Sequence, residues 1–190
     1  MKDFHEEERY NYPLDHHSVV LDCGGYEGNF AKRLIERYGC TVYVFEPIPE
    51  FYNKCVKTLE KCHSAHLYMH GVGYSKRHVN MRVKGDSTGV YADSGEMLKV
   101  QIRSIGEFMR LLKLDSVDLL KLNIEGMEGE TIEGMLADGT IKKVRDLQVQ
   151  PHLCMPDAEK RWPIIQKRLA ETHELTYCAP WCWENWRLKA

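Results

Sequence analysis

A chain of 190 residues, 43% hydrophobic and 28% charged, carries enough apolar material for one domain with a substantial core and too little for two ordinary ones. Its formal net charge of -2 gives no electrostatic reason to expect a polyanion partner, so nucleic acid is not favoured, and no apolar run reaches membrane-spanning length. The start, Met1 to Glu8, has no apolar core of a secretion signal, and the seven cysteines, an odd number without a Cys-x-x-Cys pair, suit reduced thiols in a cytoplasmic protein.

Residues 1–17 are polar, with Pro13 and paired histidines, and read as a tail or a short lid; residues 18–190 read as a single domain. The short apolar run from Ser18 to Leu21 suits a parallel strand buried on both faces. It is followed by Asp22-Cys23-Gly24-Gly25-Tyr26-Glu27-Gly28, a glycine turn that lets the backbone bend sharply and pass close to a ligand. A helix then opens near Asn29, its free N–H groups available to a polar ligand, with Phe30, Leu34, Ile35 and Tyr38 on one face and Gly39 as its stop. The second strand, Thr41 to Phe45, ends in Glu46, placed to accept hydrogen bonds from both hydroxyls of a ribose. Strand, glycine turn, helix and strand form the first unit of a doubly wound nucleotide-binding sheet, with ligands at the carboxyl ends of the strands. Asp22 in that setting is placed to hold an ammonium or an ordered water.

The glycine spacing narrows the nucleotide. Aligning the last glycine of G-x-G-x-x-G on Gly28 puts Cys23 where the first glycine belongs, which disfavours a dinucleotide. What is present is acid, x, Gly, three residues, Gly, and it resembles motif I of the class I S-adenosylmethionine methyltransferases.

Pro47 and Pro49 break the second strand and begin a helix with Phe51, Tyr52, Cys55, Val56, Leu59 and Cys62 on its apolar stripe. Cys62, His63, His66 and His70 are the densest metal-like group, but they straddle a strand and lack a second ligand pair at zinc spacing, so no metal site is expected. A third strand, about Ala65 to Val72, leads to a glycine loop in which Val72 either meets an adenine ring or forms part of a plain turn. Alternating pieces at Val79 to Val83 and Met97 to Ile102 predict an antiparallel pair, with the turn-rich Gly85 to Tyr91 between them as part of a substrate lip. Ser104 and Glu107 form a capping-box pattern for the next helix. Val117 to Leu122 is a strongly apolar strand that runs into Asn123, Glu125 and Gly126, with a helix following from about Glu128 to Leu136. Val144 to Gln150 is another strand, Pro156-Asp157 introduces a helix containing Pro163, and Leu175 to Cys178 with Trp183 to Leu188 resemble a terminal hairpin. The clustered Trp181, Trp183 and Trp186 either cover the cleft or pack on the sheet edge.

Asp118-Leu119-Leu120-Lys121-Leu122-Asn123-Ile124-Glu125-Gly126-Met127-Glu128, taken with the motif I segment, Phe45-Glu46-Pro47 and the Arg103-Ser104-Ile105 step, resembles the FkbM family of methyltransferases, whose signature is L-K-[ILV]-D-x-E-G-x-E. The resemblance spans roughly residues 19–152. It implies a Rossmann-like α/β sandwich, a mostly parallel sheet with helices on both faces and a terminal antiparallel strand. It also implies S-adenosylmethionine as cofactor and O-methylation of a small-molecule or saccharide hydroxyl. The cofactor-binding residues then expected are Asp22, Gly24, Gly25, Tyr26, Gly28, Asn29, Glu46, Pro47, Val72 and Asn123. Two positions depart from the family pattern: Asn123 stands where Asp is usual, and Gln150, two residues before His152, stands where Glu is usual. An altered acceptor and a noncatalytic adenosyl-binding partner protein both follow from such changes, and a homo-oligomer is compatible with the sequence.

Methyl transfer to a hydroxyl requires removal of its proton, because a protonated alcohol is a poor nucleophile. Glu125 and His152, expected at the carboxyl ends of neighbouring strands, are the catalytic candidates, each with an ordinary helix-capping or loop role as the competing reading. Asn123 can orient the methionine portion or the acceptor, since an amide donates and accepts but takes no proton.

Overall fold

The computed structural model describes residues 5–83 and 88–190. A seven-stranded sheet runs in the order β3-β2-β1-β7-β8-β10-β9, with β1 (Val19–Cys23), β2 (Thr41–Phe45), β3 (Ala65–Tyr68), β7 (Val117–Leu122) and β8 (Val144–Val149) mutually parallel. The terminal hairpin supplies β9 (His173–Ala179) and β10 (Trp183–Leu188), and β10 lies antiparallel to both β8 and β9. Strand order reverses between β1 and β7, the place where open α/β sheets form their ligand crevice. The helices are α1 (Asn29–Tyr38), α2 (Pro49–Thr58), α3 (Ile105–Leu112), α4 (Glu128–Asp138) and α5 (Ala158–Leu169). None among the described residues is long and apolar enough to cross a membrane.

Strand alternation divides the core. Val20, Val42, Val44 and Leu119 face Phe30, Ala31 and Leu34 of α1 and Cys55 of α2, whereas Leu21, Cys23, Phe45, Leu120 and Leu122 face the layer that includes Phe108, Ile132 and Ile165.

Two stretches differ from the sequence expectation. The third strand does not continue to Val72. It stops at Tyr68, His70 N–H bonds Tyr68 O at 2.9 Å, and Gly71–Val72 becomes β4 of a separate sheet of order β4-β6-β5. There β5 (Arg77–Val83) and β6 (Glu96–Arg103) form the antiparallel pair, and part of the expected lip, residues 85–87, lies outside the described residues. Residues 5–17, expected as a tail or a short lid, pack against the domain. Tyr10, Tyr12 and Leu14 are buried with the α1 face of the core, and Gln148 Nε2 donates to Tyr12 Oη at 2.7 Å while Tyr12 Oη donates to Asn185 Oδ1 at 3.1 Å. The segment reads as polar because Tyr10, Tyr12 and Leu14 alternate with Asn11, Pro13 and Asp15 and are followed by His16 and His17.

The tryptophans pack on the sheet. Trp183 and Trp186 are buried, and the indole N–H groups of Trp162 and Trp186 donate to the two oxygens of buried Glu184 at 2.8 and 2.9 Å. Ser104 caps α3 as expected, its Oγ accepting from Glu107 N–H at 3.2 Å.

Candidate active site

A cleft of about 830 Å³, including its open mouth, lies at the carboxyl ends of β1, β2 and β7 and is roofed by the second sheet. Its wall includes Gly24, Tyr26, Glu46, Pro47, Val72, Asn123 and Glu125 from the expected set. Phe45, Ile48, Phe51, Met81, Ile102, Ile124 and Met127 add an apolar lining, with Gly71 and the hydroxyl-bearing Thr88 beside it, that the sequence did not assign to the cleft. Size and lining are those of a small-molecule site, apolar with a few placed polar groups.

Gly24 makes the cleft floor. Its φ of +87° and its closeness to β7 exclude a side chain, since a Cβ there would stand 1.8 Å from Asn123 O. The turn is pinned to β2 by Gly24 and Gly25 N–H groups donating to Phe45 O at 2.9 and 3.1 Å. Gly25 and Gly28 serve packing rather than the cleft wall: a Cβ at Gly25 would press on Val44 and Cys55, and one at Gly28 on Cys55 and Leu59. Asn29 opens onto a shallow groove between α1 and α2, away from the cleft.

Glu46 is held as a two-pronged acceptor. Its oxygens receive the N–H groups of Tyr26 at 2.8 Å and Ile48 at 2.9 Å. Burial is the larger influence and pushes its carboxyl up to about 7 against those two hydrogen bonds. Asn123 lies on the wall with its Oδ1 buried and without a hydrogen-bond partner.

At the mouth, β7 passes into α4 through a loop with two left-handed residues. Glu125 has a left-handed φ of +55° and Gly126 one of +100°, so Glu125 is turned onto the cleft wall. Buried Glu128 ties this loop together, accepting from Ile124 N–H at 2.7 Å and Gly126 N–H at 2.9 Å. His152 does not line the cleft. It stands behind Glu125, Nε2 3.5 Å from Glu125 Oε1 and Nδ1 2.9 Å from Glu128 Oε1, which places a hydrogen on Nδ1. Burial works against the imidazolium, but the Glu128 hydrogen bond and the charges of Glu128 and Glu125 outweigh it and raise the imidazole above its ordinary value. Neither Glu128 nor Lys121 received a role from the sequence. A carboxylate opening a helix directly after a glycine, and a lysine inside an otherwise apolar strand, are the signals that mark them.

Asp22 is not on the cleft wall. It is sealed from solvent, with Lys121 Nζ 2.9 Å from its Oδ1. Strand alternation turns it toward α1, on the same face as Lys121.

The FkbM methyltransferase domain matches residues 22–177 of this chain. Comparison with curated proteins gave no match. Among solved structures, an rRNA methylase of Streptococcus thermophilus is 10% identical, with a TM-score of 0.54 over 93% of this chain and 90% of its own. The fibrillarin/Nop5p complex structure is 11% identical, with a TM-score of 0.58 over 93% and 75%. M. capricolum TrmK, solved with S-adenosyl-homocysteine, is 10% identical, with a TM-score of 0.52 over 93% and 65%. At these identities the likeness concerns the fold. The cleft itself fits an adenosyl cofactor on two observations: a floor at Gly24 that a Cβ would fill, and a buried amide oxygen at Asn123 lacking a partner. The chain therefore belongs to the FkbM methyltransferase family, class I enzymes whose cofactor is S-adenosylmethionine.

Proposed function

We propose that this protein methylates a hydroxyl oxygen of a small molecule or saccharide, with Glu125 as the group that takes the hydroxyl proton. The observation that carries this reading is the strained Glu125 on the cleft wall, backed by His152 and Glu128. When bound, the cofactor supplies an electrophilic methyl carbon on its sulfonium. Glu46 would receive the ribose hydroxyls, Gly24, Tyr26 and Asn123 the methionine end, and Pro47 and Val72 the adenine side. The apolar lining excludes water and holds the acceptor oxygen in line, the main work in a displacement of this kind. Proton removal adds a carboxylate acceptor, Glu125 Oε1, whose charge the imidazole behind it steadies.

The neighbouring groove supports a neutral hydroxylated acceptor. Tyr74, Arg77, Glu130, Glu133 and Arg161 line about 660 Å³ there, and its guanidiniums are matched by carboxylates in the pairs Arg77–Glu130 and Arg161–Glu133. Tyr91 links it to the loop, standing 2.8 Å from where a Gly126 Cβ would be. All seven thiols are unpaired, which supports a reducing cytoplasmic setting.

The test is transfer of a labelled methyl group to a panel of polyols, sugars and RNA by the protein and by Glu125→Gln. Methylated hydroxyls, with turnover falling about 100-fold or more in the variant at unchanged S-adenosylhomocysteine affinity, support the proposal. Undiminished turnover in Glu125→Gln removes its base role. Methylation of RNA alone overturns the acceptor class, and tight cofactor binding without transfer to any acceptor favours the noncatalytic binding protein.

A further inference from the structure

The geometry points to Lys121 as the residue that positions the glycine turn, with Asp22 as its buried counter-ion and not a ligand of the cofactor's ammonium. This rests on the cofactor assignment above. Asp22 and Lys121 face each other in register on the parallel strands β1 and β7, and alternation turns both away from the cleft. Their side chains are 0% and 4% exposed, and Lys121 Nζ lies 5.6 Å from the centroid of the Phe30 ring on α1.

The ammonium has three hydrogens and three close oxygens. It donates to Gly24 O at 2.7 Å and Cys23 O at 3.4 Å, and Asp22 Oδ1 stands 2.9 Å away. The carbonyls are the last of β1 and the first of the turn that floors the cleft, so Lys121 ties the turn to the end of the strand and sets the height of Gly24 against Asn123. Asp22 balances the charge. Its carboxylate is sealed from solvent and turned away from the cleft; its two oxygens make no hydrogen bond among the described residues, and the ammonium beside it is what balances its charge.

Calorimetric binding of S-adenosylhomocysteine and of its analogue bearing hydrogen in place of the α-amino group separates the two roles. The quantity read is the ratio of their Kd values. The expected result is that Asp22→Asn changes this ratio by less than about twofold, because the amine has lost no partner, while Lys121→Met weakens S-adenosylhomocysteine about tenfold or more. Adding Asp22→Asn to Lys121→Met should restore about threefold, since it removes a stranded buried charge. Binding by Lys121→Met within about twofold of the parent overturns the positioning role. Asp22→Asn keeps the shape but strands the Lys121 charge, so the same ratio is read in the double variant, which strands none; a ratio that collapses toward one in both variants overturns the proposal by showing an ammonium partner lost, and an unchanged ratio in both upholds it. Failure of the unsubstituted protein to bind S-adenosylhomocysteine is a separate result: it removes the cofactor assignment and the proposal together.

Discussion

Replacing Glu46 by Gln tests the ribose assignment and the effect of burial on the same carboxyl. Each oxygen of Glu46 already accepts one backbone N–H, from Tyr26 or Ile48, and keeps a lone pair for a ligand hydroxyl. Losing a charge-assisted bond of this type costs about 2 kcal/mol, so at pH 8.5 Glu46→Gln should bind S-adenosylhomocysteine about 30-fold more weakly. The parent should lose affinity on acidification. With the free carboxyl pushed up to about 7 by burial, binding to the carboxylate form weakens about tenfold per pH unit below that point. Near pH 5.5 the two proteins should therefore converge, and at pH 7 the parent should release about half a proton on binding. Calorimetry from pH 5.5 to 8.5 in buffers of different ionisation enthalpy reads both quantities. Parallel pH curves for the two proteins, or binding without proton release, would refute the reasoning. The ligand-free protein gives a second reading of the same group. Its folded state holds this proton more tightly than the unfolded chain, so the stabilisation is fully present below pH 4.5 and is lost as pH rises through about 7. The stability of the parent minus that of Glu46→Gln should accordingly decline by about 3 kcal/mol across that window, measured by denaturant titration.

Gly24→Ala combines an unfavourable φ with a Cβ 1.8 Å from Asn123 O, so it should destabilise by more than about 2 kcal/mol or abolish S-adenosylhomocysteine binding; unchanged thermal unfolding and binding would contradict the cleft-floor geometry. Glu128→Gln should lower the His152 imidazole toward its ordinary value and cost about 2 kcal/mol, because Ile124 and Gly126 lose a charged acceptor; imidazole proton NMR against pH reads the first effect, and an unmoved midpoint would refute it. Tyr12→Phe removes the hydroxyl between Gln148 and Asn185 and should cost about 1–2 kcal/mol, a fall in Tm of about 4 °C, whereas a detachable tail would show none.

The parts of the fold legible in the sequence were those set by local chemistry. Parallel strands buried on both faces read as apolar runs, Ser104 announced its helix, and the alternation from Val79 to Val83 declared a β-strand. Glu46, Gly24 and Asn123 could be placed because a strand end followed by a turn leaves little freedom in where its residues point. What escaped depended on neighbours distant in sequence. Asp22 looked available because its partner, Lys121, lies 99 positions away on the adjoining strand. The break after Tyr68 has no glycine until Gly71, and residues 5–17 hide their apolar side chains among charges. That His152 stands behind Glu125, held by Glu128, is a matter of packing that no local pattern carries.

The placement of β10 between β8 and β9 imposes an order of assembly. β10 cannot be added at the open edge of the sheet when β9 occupies the outermost place; the hairpin must dock as a unit, or β10 must pair with β8 before β9 closes over it. Tyr12 reaches its hydroxyl partner Asn185 only after that event, a contact spanning 173 positions. The entropic cost of closing a loop grows only slowly with its length, but it must be met before a contact of this separation forms, and pairings distant in sequence are the ones that slow folding. The strands that wall the cleft, β1, β2 and β7, lie on the other side of β8 from that hairpin, so the docking event and the cleft meet only through the sheet between them.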